Sequence, residues 1–144
     1  MTLEPLETAF PGLVGSPYSV TSPIAREYNC IAWAAGRDDV WMWPDPGGFS
    51  YWPDGVPREV SVEAIVRAFE LLGYTMSSSM DFEEGVEKVA IFTRDGKPTH
   101  AARQLPDGHW TSKCGKNIEI SHLLRDLEGD HYGEICRILA RPRQ

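Results

Sequence analysis

Cys30 follows Asn29 and opens the apolar run Cys30-Ile-Ala-Trp-Ala-Ala35, which ends at Gly36. Asparagine is a good helix cap and glycine a common stop, so the spacing predicts a short helix with a thiol in its first turn. A helix start lowers a thiol pKa by aiming its dipole and free N–H groups at the sulfur. A thiol attacking a carbonyl also needs a base. His100, in Thr99-His-Ala-Ala-Arg-Gln104, is expected to project from a strand toward the helix and form a Cys–His pair. The base in turn needs an orienting partner. Of Thr111 and Ser112 on the next strand, Ser112 falls opposite His100 if the Pro106-Asp-Gly108 turn is tight. The oxyanion of an acyl-transfer step would be met by the Cys30 N–H and one upstream group, Ser22 or Tyr28.

Other residues could serve such a site or have plainer roles. Trp41, Met42, Trp43 and Trp52 lie in a Pro- and Gly-rich loop, where they either line a substrate groove or cover the core. Strand alternation sends Arg103 away from the face of His100 and keeps Gln104 on it, as a substrate contact. Cys30 could equally be a small buried apolar residue, and His100 a buried strand histidine. His109 and His131 sit beside turns, and His122 flanks a short helix. Cys136 reads as buried in the last strand, and Cys114, in Ser-Lys-Cys-Gly, as exposed and oxidisable. The three cysteines lack CxxC spacing, so neither a disulfide framework nor a zinc site is expected, and no cofactor is called for. A metal held by Cys30, His100 and Cys114 through folding has no local spacing behind it.

The elements that must position these groups follow from the patterning. Residues 1–22 carry prolines at 5, 11 and 17 and predict an extended arm over the domain surface, with Ser22-Pro23 able to open a helical turn. Ser61 caps an amphipathic helix with Val62, Ile65, Val66, Phe69, Leu71 and Leu72 on its apolar side, stopped by Gly73. From Val86 the period changes to that of strands: Val86–Thr93, Thr99–Leu105 and His109–Lys113, joined by two Asp-Gly turns as an antiparallel meander. A strand fragment and short helix follow over Ile118–Leu127, then a strand over Tyr132–Ala140. Helices first and a meander after them predict one α+β domain over residues 1–144, its N-terminal helices packed on one face of a C-terminal antiparallel sheet.

Composition narrows the partners. The 144 residues suit one domain, and 14 Lys+Arg against 21 Asp+Glu leave a formal charge of -7. Nucleic acid and anionic membrane are therefore disfavoured as partners. The N-terminal residues are acidic where a secretory signal is basic, and no apolar run approaches membrane-spanning length. A cytoplasmic protein is expected, with export as an effector without a cleaved signal as the other route. Oligomeric state does not follow from the sequence.

A cysteine heading an early helix, a histidine opening a central strand and a polar residue on the next strand resemble the NlpC/P60 branch of the papain-like cysteine peptidases. Tyr28-Asn-Cys30 resembles that branch's aromatic-Asp-Cys segment. The resemblance implies a papain-like fold with Cys30 as nucleophile, His100 as base and Ser112 in the orienting position. Asn29 departs from the usual Asp, and Ser112 from the usual His, Asn or Gln. Tyr28-Asn-Cys-Ile-Ala-Trp-Ala34, Thr99-His-Ala-Ala-Arg-Gln104 and Trp110-Thr-Ser-Lys113 also resemble an uncharacterised bacterial domain family. The expected function is a cysteine hydrolase or acyltransferase acting on an amide or peptide bond of a peptide or protein, with Trp41, Trp43, Trp52, Gln104 and Tyr28 contacting substrate. The alternative is a non-catalytic peptide- or protein-binding module that uses the tryptophan loop.

Overall fold

A computed structural model describes residues 4–114 and 118–144. The first three residues of the arm, and residues 115–117, lie outside the described residues. The chain forms α1 (Glu4–Ala9), a 3-10 turn at Pro11–Leu13, β1 (Ser19–Val20), α2 (Cys30–Ala34) and α3 (Val62–Glu70). It continues through β2 (Thr75–Ser77), β3 (Val86–Arg94), β4 (Lys97–Gln104), β5 (Trp110–Lys113) and β6 (Glu119–His122), then a 3-10 turn at Leu124–Leu127 and β7 (Glu134–Pro142). The strands form one sheet in the order β1-β6-β5-β4-β3-β7-β2, antiparallel throughout. This is an α+β fold.

Local chemistry explains the elements that place the site. Asp95 and Gly96 both have positive φ, 53° and 77°, the mirror-image turn whose twist matches its flanking strands, and they join β3 to β4. Pro106-Asp-Gly108 makes a wider turn, closed by a 2.7 Å bond from Leu105 N–H to His109 C=O, with Gly108 at φ 92°. Ser61 caps α3 by accepting the Ala64 N–H at 3.2 Å. The buried stripe of α3 is Ala64, Ile65, Ala68 and Phe69. Leu71 and Leu72 fall beyond its last residue, and Leu71 is 63% exposed.

Where one covered face was expected, both are covered. Along β3, Val89 and Ile91 pack with α2, α3 and the tryptophan loop, while Ala90 and Phe92 pack into a second cluster on the other side. The unbroken apolar run Val89-Ala-Ile-Phe92 carries that signature, because a strand buried on both faces does not alternate. Phe10, Leu13, Leu124, Leu127 and Tyr132 build the second layer. The N-terminal arm is therefore core: Leu13 is 0% exposed, and Ser19–Val20 adds a strand beside β6. Ser22-Pro23 opens no helix; the Ser22 hydroxyl oxygen instead accepts the Glu119 N–H at 2.9 Å and ties the arm to β6. Among the described residues no helix is long and apolar enough to cross a membrane.

Removing a fully buried leucine costs about 2–5 kcal/mol. Leu13→Ala should lower the unfolding free energy by that amount in urea titrations, whereas an arm lying on the surface would give a change near zero.

Candidate thiol–imidazole site

The site begins at the Asn29 side chain, which does more than cap a helix. Its Oδ1 accepts the N–H of Ala32 at 3.2 Å and of Met42 at 3.0 Å, while its Nδ2 donates to the Met42 carbonyl at 2.8 Å. A carboxylate could accept both N–H groups but could not donate to that carbonyl. Asparagine thus fastens the start of α2 to the tryptophan loop through both main-chain groups of one residue, Met42. Within that loop Trp52 is 5% exposed and its indole N–H donates to Pro57 C=O at 3.0 Å. Trp41 and Trp43 are half-buried. The rings of this loop that face water are Phe49 and Tyr51, 92% and 43% exposed.

Cys30 stands in the first turn of α2, 7% exposed. Burial pushes its thiol up to about 11, against the N–H groups of Ala101, Ile31 and Cys30 and the Lys113 ammonium, which favour the thiolate. Ala101 has an N–H to offer because β5 pairs with β4 only at Arg103↔Thr111 and Gln104↔Trp110 before the strands part. Lys113 is buried, donating to Ala25 C=O at 2.6 Å and Tyr28 C=O at 3.1 Å. The Tyr28 hydroxyl donates to buried Glu119, and the Ser22 hydroxyl donates to Pro23 C=O at 2.9 Å while accepting from the Glu119 backbone. Both expected oxyanion donors thus have partners of their own.

His100 does not project toward α2. It lies on the second face, with Phe92 and Tyr132: its ring stacks on Tyr132 at 4.0 Å and 8°. The bulge between Phe92 and Thr93 leaves Phe92 paired with His100 and Ile91 with Ala101, so Ala101 faces the helix and His100 turns away. The link between the two runs through the backbone of β4: the N–H of Ala101, the residue following His100, favours the Cys30 thiolate. His100 Nε2 lies 2.9 Å from Ser112 Oγ. The register Arg103↔Thr111 sets Ser112 level with Ala102, so the contact is diagonal rather than directly across. His122, expected beside a short helix, is 0% exposed in β6 with Nε2 at 2.7 Å from the same oxygen and Nδ1 at 2.6 Å from Leu123 C=O. His100 Nδ1 is buried without a hydrogen-bond partner, as is Gln104 Oε1.

The remaining candidates fall as follows. Gln104 shares the second face and is 1% exposed, while Arg103 reaches Trp33 C=O on the helix side at 3.4 Å. Cys114, read as exposed, is buried at 5% because strand alternation turns it under Tyr132. Cys136 is half-buried. Among the described residues no group of three His, Cys, Asp or Glu side chains could hold a metal ion. His122, Lys113, Glu119 and Tyr132 join the site without a local motif to announce them. The period of Glu119-Ile-Ser-His122, continued through the meander register, puts His122 on the face of Ser112 and was the available signal.

Burial holds His122 down to about 4 and His100 well below the ordinary imidazole range. Both rings are neutral when folded and gain protons near pH 6.5 when unfolded, so stability is full above pH 6.5 and falls as the pH drops below it. Each ring contributes a slope of up to about 1.4 kcal/mol per pH unit. Urea titrations at pH 7 and pH 5 should differ by about 2–4 kcal/mol; a flat profile would mean that the rings are solvated.

Comparison with known proteins places these residues within one family. No curated protein and no solved structure matches the chain. A family model described as "Domain of unknown function (DUF7689)" matches residues 19–140, a span that includes Cys30, His100, Ser112 and His122. The chain belongs to the DUF7689 family.

Proposed function

We propose that the protein is a thiol hydrolase or acyltransferase acting on an amide or peptide bond, with Cys30 as nucleophile and His100 as base. The observation that carries this reading is His100 Nδ1: a buried ring nitrogen with no partner, on a ring whose other nitrogen is held by Ser112. Leaving a buried polar atom unpaired costs about 1–3 kcal/mol, and proton transfer gives a reason to keep one. The finer reading of the fold as papain-like rests on the order of helix-borne cysteine, strand-borne histidine and polar residue on the next strand. The substrate class follows the same reading: a peptide or protein met in the cytoplasm, or in another cell after export.

Both groups rest neutral, because burial raises the thiol and lowers the imidazole. As the sulfur attacks the carbonyl carbon, the S–H proton passes to His100 Nδ1, the C–S bond forms and the carbonyl π electrons move to oxygen. Collapse of the adduct breaks the C–N bond. The amine leaves with the proton from Nδ1, and a thioester remains on Cys30. Water or an acceptor amine then attacks the thioester, its proton passing through Nδ1 back to sulfur. In unliganded sites such contacts are commonly long and tighten with substrate; this reading requires Cys30 to leave the Ala101 N–H and approach His100 as substrate binds.

Phe49 and Tyr51, 92% and 43% exposed, favour a second reading, a binding module. In that reading these two rings, rather than the tryptophans, hold a peptide.

The test is 2-chloroacetamide at pH 7 with peptide mapping by mass spectrometry. Cys30 should be modified faster than Cys114 and Cys136, and His100→Ala should slow Cys30 by at least about tenfold, since general-base assistance supplies 10²–10⁴. Equal rates at the three cysteines, or indifference to His100→Ala, would leave the binding module.

A further inference from the structure

We propose that His122 is a positioning residue for His100, acting through the Ser112 hydroxyl, which it locks in one orientation. Ser112 alone orients an imidazole poorly, because a serine hydroxyl can donate or accept and turns freely between the two. The second ring removes that freedom.

The proton positions follow in sequence from one end of the chain of contacts. The Leu123 carbonyl, 2.6 Å from His122 Nδ1, can only accept, so Nδ1 carries the hydrogen. A neutral imidazole has one N–H, which leaves His122 Nε2 as an acceptor. The Ser112 hydroxyl, 2.7 Å away, must donate to it. That hydroxyl has a single proton. At 2.9 Å it can offer His100 Nε2 only a lone pair, so His100 carries its hydrogen on Nε2. The lone pair of His100 is therefore on Nδ1, the atom left buried and without a partner.

Geometry holds each member of this relay. Trp110↔His122 and Ser112↔Ile120 are paired across β5 and β6, which sets Ser112 and His122 on one face of the sheet. Tyr132 stacks flat on His100 at 4.0 Å and prevents the ring from turning out of line. When His100 accepts a second proton at Nδ1, its Nε2–H strengthens toward Ser112, and the Ser112 hydroxyl strengthens toward His122. The charge is thus shared across two hydrogen bonds without a buried carboxylate. The role in proton transfer rests on the thiol reading above, whereas the lock itself does not depend on turnover.

The experiment is a long-range proton–nitrogen correlation spectrum of the full chain, uniformly labelled with nitrogen-15, at pH 7. It should show His100 with its hydrogen on Nε2 and His122 with its hydrogen on Nδ1. In His122→Leu, the Ser112 hydroxyl is released and His100 should shift to a mixture of tautomers; His122→Gln, whose carbonyl oxygen can accept from Ser112, should restore the single form. Cys30 alkylation should slow by about tenfold in His122→Leu and recover to within about threefold of the parent in His122→Gln, a part of the 10²–10⁴ available to general-base assistance. A parent spectrum with His100 hydrogenated on Nδ1, or a His100 tautomer unmoved in His122→Leu, overturns the lock. If His122→Leu does not fold, the parent spectrum and His122→Gln decide it. A correct tautomer pattern with unreactive Cys30 leaves the lock standing and removes the thiol reading instead.

Discussion

Ser112 has one hydroxyl proton and two imidazoles competing for it, and the state of His100 follows from which ring receives it. The distances of 2.7 Å and 2.9 Å are both hydrogen bonds, and the Leu123 carbonyl decides the direction from outside the pair. Such an arrangement is stable only where water cannot compete. The second face of the sheet supplies that exclusion through Phe10 and Leu13 from the arm, Leu124 and Leu127 from the turn after β6, and Tyr132 over the ring. The arm is thus joined to the chemistry: it seals the layer that keeps both histidines neutral.

The other half of the site depends on a flaw in the sheet. β5 leaves β4 after two residue pairs, and the amide this frees at Ala101 is directed at the Cys30 sulfur. Helix start, strand edge and buried Lys113 all favour a thiolate, and burial outweighs them. At rest the Cys30 thiol and the His100 imidazole are both neutral, on opposite faces of the sheet. A strand separates them, and the amide that favours the thiolate belongs to Ala101, the residue that follows the imidazole along that strand. The apolar surroundings oppose separating charge between the two groups.

Much of the scaffold was legible in local signals. Asn29 and Ser61 mark their helices as caps, the two Asp-Gly turns mark the meander, and alternation places Arg103 and Gln104 on opposite faces. What local signals do not carry is what covers each face. The arm reads as surface from its prolines, because Phe10 and Leu13 are too few to show a period. The sequence places His100 on the helix side because a shift in the β3–β4 register cannot be read from residue types, and that shift decides which of two consecutive residues faces α2. Cys114 and His122 escape local patterning for a related reason: each looks polar or terminal in its own segment, and only the assembled β4–β5–β6 register brings it under Tyr132 or against Ser112. For Trp52, followed by Pro53, the choice between a substrate groove and a core cover is open in the sequence; its burial and its indole N–H, satisfied within its own loop, decide for the core.

The most direct measurement is a crystal structure of the protein with Cys30 carrying a covalent peptide aldehyde, whose hemithioacetal mimics the tetrahedral adduct. The account predicts that His100 Nδ1 lies at about 3–4 Å from the Cys30 sulfur or the adduct oxygen, while Nε2 keeps its bond to Ser112. A modified Cys30 that stays on the α2 face, with Nδ1 still buried and unpartnered beneath Tyr132, would contradict it.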